Sequence, residues 1–206
     1  MVNTFPAHDL LWGMTPAQLP ADAPAWAVES LSAGQPVVVR RAVSTAGRIA
    51  VGVRGRLREQ RFATSMAIAA ITRRVSPEEL RHIDIERHLP VLEALAQLRP
   101  ALDACGWVWG VSGSAGFELA SGFAALHQGS DLDLILRTPQ PLARDRAREL
   151  LALLDAAPCV VDMQLQTPLG GVALREWAGT SHRVLLKNTR EACLVTDPWT
   201  SQEHAA

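Results

Sequence analysis

The chain has 206 residues, 48% of them hydrophobic, and a formal net charge of −1 at pH 7. That is enough apolar material for one large domain or two small ones, and the near-neutral balance excludes a global field drawing the protein to nucleic acid or membrane. Cys105, Cys159 and Cys193 are odd in number and form no CxxC pair, which argues against a disulfide framework or a cysteine zinc site.

From Met1 to Pro20 there is no Lys or Arg and no long apolar run, and nowhere does the chain approach the ~20 apolar residues of a membrane span. Neither a signal peptide nor a membrane anchor is expected, and the expected location is the cytoplasm. Asp22 and Pro24 are placed to start a short helix through Trp26 and Leu31, with Gly34 ending it. Residues 36–40 and 48–53 are short β-branched runs around a Ser/Thr/Gly turn and predict paired strands. Phe62 to Thr72 is apolar and Ala-rich, which predicts a buried helix.

Ser76-Pro-Glu-Glu79 is a helix start, with a capping Ser, Pro at the first helical position and Glu at the third. The charged stretch from Arg81 to His88 is taken as a domain boundary, giving domains 1–82 and 83–206. A helix follows through Val91, Leu95, Leu98 and Leu102, stopped by Gly106. Beyond it the pattern becomes α/β. Residues 107–112 predict a strand, Gly113-Ser114 a turn into a helix over 115–121, and 131–137 a second strand. A helix over 142–156, a strand over 159–166, a short helix over 172–178 and strands at 184–186 and 193–195 complete the reading.

Three features in this half carry chemistry. In a strand, residues i and i+2 share a face, so Asp131 and Asp133 present two carboxylates side by side while Leu132 and Leu134 enter the core. Two ionised carboxylates this close repel unless a cation neutralises them, and hard oxygen donors favour magnesium. Asp162, an acid in the otherwise apolar strand Val160-Val-Asp-Met-Gln-Leu165, is the candidate third ligand. Such an arrangement stabilises the attacking and leaving oxygens of a phosphoryl displacement. Gly113-Ser114 supplies the other half, since glycine admits phosphate close to the backbone and helix N-terminal amides attract anions.

Gly-Ser on a strand-to-helix turn, with Asp-x-Asp about sixteen residues later and then a strand Asp, resembles the polymerase-β-like nucleotidyltransferase superfamily. The stretches Trp109–Gly122, Ser130–Leu134, Val161–Gln164 and Asp197-Pro-Trp199 resemble the malonate decarboxylase holo-acyl-carrier-protein synthases, also called phosphoribosyl-dephospho-CoA transferases. So do His8–Trp12 and Val51–Arg61, which extends the resemblance over nearly the whole chain. The resemblance implies an α+β protein: a small N-terminal α/β domain that binds substrate or carrier, then a nucleotidyltransferase-fold catalytic domain with a mixed sheet. It implies transfer of the prosthetic group from 2′-(5″-triphosphoribosyl)-3′-dephospho-CoA to a serine of the malonate decarboxylase acyl-carrier subunit, releasing diphosphate. Asp131 and Asp133 would then be both metal ligands and catalytic residues. The related citrate lyase carrier holds the same group, so the acceptor stays open between the two.

Between Arg40 and Arg61 stand seven Arg and one Glu. A solvated basic face is one explanation. The other is that Arg54, Arg58 and Arg61 bind the triphosphate or an acidic carrier, with Gly52 and Gly55 permitting close approach. Lys187, the single lysine, is a candidate phosphate contact or a strand-end surface residue. Glu118 reads as structural, and His127 as a loop residue. The alternatives to the transferase are a different nucleotidyltransferase acting on a protein or small molecule, and a catalytically dead module that keeps the fold.

Overall fold

The computed structural model describes residues 5–57 and 59–200, so Arg58 lies outside the described residues. It is an α+β structure on two sheets. The first is antiparallel: β1 (Leu10–Trp12), β2 (Val37–Val39), β3 (Arg48–Arg54), β4 (Arg61–Ala67) and β5 (Arg73–Val75), in the order β4-β3-β2-β1-β5. Helix α1 (Ala25–Ser32), begun by Pro24 and followed by Gly34 at φ +77°, packs over it. Leu31, Val37, Val51, Val53 and Met66 are among the residues that form their common core.

The second sheet is mixed. Helix α2 (Pro90–Asp103) leads into β6 (Val108–Val111), α3 (Gly113–Ser121), β7 (Leu132–Arg137), α4 (Arg144–Asp155), β8 (Val161–Thr167), β9 (Gly170–Ala173), α5 (Leu174–Ala178), β10 (Val184–Lys187) and β11 (Ala192–Val195). The strand order is β11-β10-β9-β8-β7-β6, and β7–β8 is the parallel pair. That pair needs a crossover, which α4 provides by burying Ala147, Leu150 and Leu154 against the sheet. Among the described residues no helix is long and apolar enough to cross a membrane.

Three expectations are corrected. Phe62 to Thr72 is not a helix but β4 followed by a single 3₁₀ turn, Ile68–Ala70. The reason is tertiary: β3 offers a full row of backbone donors and acceptors, and Arg61–Ala67 pairs with all seven of its residues. The Ser76 start leads only to a 3₁₀ turn, Pro77–Leu80, although its capping box forms as expected. The predicted helix over 172–178 begins later, because residues 170–173 are drawn into the sheet against β8.

That 3₁₀ turn ties the segment after the first sheet to the second. It lies against β6 so closely that a Cβ on Gly110 would come within 2.5 Å of the Pro77 carbonyl carbon. Glu78 accepts from Arg137 Nε at 2.6 Å, and Leu80 enters the second core. Gly110→Ala should therefore destabilise the protein by about 1–3 kcal/mol, the cost of overpacking against backbone that cannot retreat. A urea denaturation midpoint equal to wild type would show that the turn yields.

Candidate active site

Two chain reversals build the site. Between β6 and α3, the Ser112 amide donates to the Asp133 carbonyl at 2.8 Å, and Gly113 then takes the left-handed conformation at φ +60°. A Cβ there would sit 1.8 Å from Asp133 Oδ2. Glycine is needed twice over, for its backbone angle and for the carboxylate that occupies its side-chain space. Helix α3 begins at this turn, beside Asp133, and its first amides have no partners inside the helix.

The second reversal precedes β7. Ser130 N donates to the His127 carbonyl, and His127 N donates to Ser130 Oγ, closing a turn that delivers Asp131 to the head of the strand. Glu118 holds the loop before it, accepting from the amides of Ala125 at 2.6 Å and Leu126 at 2.7 Å and from Arg87. Burial pushes the Glu118 carboxyl up, but those amides and Arg87 outweigh it and hold its pKa below the ordinary value. Its role is structural.

Asp131, Asp133 and Asp162 all line one cavity of about 500 Å³, together with Arg54, Arg61, Gly113 and Ser114. Leu132 and Leu134 are buried on the opposite face. Asp162 on β8 is the register partner of Asp133 on β7, so the two Cα atoms are about 4.8 Å apart on one face of the sheet. The donor chemistry suits a hard cation: Asp131 just before β7 and Asp133 within it, the latter against Gly113, with a third carboxylate on the next strand. Among the described residues, no three His, Cys, Asp or Glu side chains already stand close enough to hold an ion. Asp131 and Asp133, with Asp162 beside them, are the carboxylates that would hold one.

Arg54 connects the sheets. Only 9% exposed, it donates from Nη2 to Ser114 Oγ at 2.7 Å and lies over the Phe117 ring, 5.2 Å from its centre. Burial lowers its pKa to about 10, with Arg61 adding to the effect and Asp133 and Glu118 opposing it. It stays cationic at neutral pH. Ser114 accepts this bond, which leaves its hydroxyl proton to donate to an anion. The space beside Gly55 is filled by Gln60 and Trp26, whereas Gly52 meets the Arg40 stem only at van der Waals distance, 3.4 Å, and lines a cavity with Arg54 and Arg61. Gly55 makes room for the protein's own side chains. Lys187, exposed at the end of β10, lines a neighbouring cavity of about 290 Å³ with Asp133, Asp162 and Gln164, on another side from Arg61.

His8 and Gln164 open and close two of the family-like stretches but carry no assigned role in the sequence; both line the cavity shared by Asp133 and Asp162. His8 is the non-glycine residue at positive φ among the described residues, at +80°. Its Nε2 lies 3.0 Å from Gln164 Oε1, and the same oxygen accepts from Arg41 Nη2 at 3.0 Å. Gln164 was legible, two residues beyond Asp162 on one face of β8; nothing in Pro6-Ala-His8 signals a strained backbone. Burial lowers the His8 pKa to about 4, so the ring is neutral.

Residues 6–77 match the family model described as the phosphoribosyl-dephospho-CoA transferase MdcG N-terminal domain, and residues 79–198 match that of the C-terminal domain. Proteins named phosphoribosyl-dephospho-CoA transferase are similar along the whole chain. One from Pseudomonas fluorescens Pf0-1 is 69% identical over 206 residues, 100% of each chain. Another from P. fluorescens Pf-5 is 65% identical, covering 97% of this chain and 96% of its own. A third, from Pseudomonas aeruginosa PAO1, is 57% identical over 93% and 92%. No solved structure matches.

The His8 shift has a measurable consequence. The folded state takes up the His8 proton only near pH 4, whereas an unfolded histidine takes it up near 6.5. The stabilisation is thus complete above pH 6.5 and lost as pH falls toward 4. His8→Gln should flatten the fall in thermal midpoint between pH 7 and pH 5; a variant that keeps the wild-type slope would place the titrating group elsewhere.

Proposed function

The chain belongs to the phosphoribosyl-dephospho-CoA transferase family and is a transferase, and on that premise we propose the reaction and the residues that perform it. The donor is 2′-(5″-triphosphoribosyl)-3′-dephospho-CoA, and the acceptor is a serine of the apo acyl-carrier subunit of malonate decarboxylase. The observation that carries the reading is the shared cavity: three carboxylates, the α3 N-terminus and the Arg54–Ser114 pair face one space. Acids for a cation and donors for phosphate converge there.

The serine oxygen attacks the phosphorus joined to the donor ribose, a phosphodiester forms, and the bond to diphosphate breaks. Gly113 and the first amides of α3 receive the phosphate oxygens, with the Ser114 hydroxyl donating a further hydrogen bond. Arg54, cationic and largely shielded from water, faces the charge that builds on the leaving diphosphate; little solvent has to reorganise around it. Arg61, exposed at the cavity rim, adds a second guanidinium suited to paired phosphate oxygens. One carboxylate of the Asp131–Asp133 pair accepts the serine proton. Magnesium, held by that pair with Asp162 beside it, would supply charge neutralisation for the attacking and leaving oxygens. Lys187 on the Asp162 side contributes to anion binding. On this reading the transfer is cytoplasmic and involves no nucleic acid.

The carrier serine must reach Asp131 from solvent, and the rim it would cross carries Arg56, Arg61 and Leu57, the last 55% exposed. Positive charge with an apolar contact at its centre suits an acidic carrier surface.

The test is intact-mass spectrometry of the apo carrier incubated with enzyme, magnesium and donor. We expect a mass gain equal to the donor minus diphosphate. Asp131→Asn and Asp133→Asn should each lower the rate by at least about a thousandfold, the several kcal/mol a metal site supplies, with an unchanged circular dichroism spectrum. Full activity in both variants would sink the metal assignment. No gain with wild type would sink the reaction.

A further inference from the structure

One cavity is unused by the steps above. It measures about 360 Å³, and its walls include Leu10, Val38, Phe62, Ala63 and Val111. It shares Arg54, Arg61 and Gly113 with the acid-lined cavity. It also shares His8, Val38 and Arg40 with an open recess to which Arg41, Lys187 and Asn188 contribute. Three spaces therefore abut in series. The first pairs carboxylates with arginines, the second is mainly apolar, and the third is cationic.

The donor has a matching order of chemical groups. Its triphosphate is joined through one ribose to the 2′ oxygen of an adenosine, whose 5′ carbon carries a diphosphate and then the pantetheine arm. Polyanion, ring system and polyanion follow one another. Resting on the transfer reading above, we propose that the apolar cavity seats the adenosine and that the recess of Arg40 and Lys187 takes the 5′-diphosphate.

Connectivity decides against placing the pantetheine arm in the apolar cavity. Gly113 touches Asp133 and also lines that cavity, so the group seated there must lie one sugar from the reacting phosphorus. Only the adenosine does. Size agrees, since small-molecule pockets run from about 300 to 1,000 Å³ and this one has room for a nucleoside and not for the whole donor. Phe62 and Phe117 add aromatic surface for a base. In the recess, Arg41 is engaged with Gln164 and Gln166. Arg40 and Lys187, both exposed, carry the charge a diphosphate would meet.

Calorimetric titration of the full chain with 3′-dephospho-CoA, ADP, adenosine, 4′-phosphopantetheine and magnesium tripolyphosphate tests this. ADP should compete with 3′-dephospho-CoA and 4′-phosphopantetheine should not. Ala63→Leu, which extends an exposed edge-strand residue into the cavity, should weaken 3′-dephospho-CoA and ADP by about tenfold, the loss typical of one oversized side chain. It should leave tripolyphosphate binding unchanged. Lys187→Ala should weaken ADP and spare adenosine. Competition by 4′-phosphopantetheine and not ADP would overturn the assignment, as would unchanged affinities in both variants. Carrier labelling by wild type, run alongside, separates the two readings: transfer with the wrong fragment pattern removes only this subsite, and the right pattern without transfer removes only the reaction.

Discussion

The contact between Gly113 and Asp133 organises the functional half of the molecule. It lets the carboxylate of β7 occupy the side-chain position of the residue that opens the preceding helix, α3. Any larger residue would have to displace Asp133 or abandon the left-handed turn. The contact places two oppositely useful devices within one residue of each other: carboxylates that attract a cation, and helix amides that attract phosphate. Without the sheet the arrangement would not persist. Buried leucines at 132 and 134 fix which face of β7 the acids occupy, and the parallel pairing with β8 sets Asp162 beside Asp133.

The first sheet completes this centre from outside. Arg54 ends β3, crosses to Ser114 and lies over Phe117, so a cation from one sheet is held against the turn that opens α3 beside the other. His8 and Arg41 make a second crossing to Gln164 and Gln166. Both crossings are polar and line cavities. An interface held this way suits a bound molecule that is itself charged at both ends and flat in the middle, because the bridging side chains already match its chemistry.

Much of this was legible in the sequence, and the parts that were not share a cause. Strands β6, β7 and β8 and helices α2, α3 and α4 follow from local pattern, since their apolar residues repeat at the period of the element that forms. The Asp131, Asp133 and Asp162 positions follow from the same strand patterns, and Gly113 from the Gly-Ser pair at a strand-to-helix turn. By contrast, the stretch from Phe62 to Thr72 is Ala-rich and reads as helix because the decisive partner, β3, lies outside that stretch, across the loop of residues 55–60. The strands β1 and β5 are three residues each, too short to show a period. His8 is reached only through a backbone angle that no residue type announces. Gly52 and Gly55 both looked like ligand-facing positions; Gly52 does line a cavity with Arg54 and Arg61, whereas the space beside Gly55 proves to be taken by Gln60 and Trp26. A glycine reports that something comes close without saying what.

The central claim is that the carboxylate pair and the phosphate-binding turn act as one unit through the Gly113–Asp133 contact. The most direct measurement is Mn²⁺ binding, followed by electron paramagnetic resonance with and without tripolyphosphate, in wild type and Gly113→Ala. Coupled sites strengthen one another's ligands reciprocally. The account predicts that tripolyphosphate tightens Mn²⁺ binding in wild type and that Gly113→Ala loses this enhancement. Equal enhancement in both proteins would contradict it.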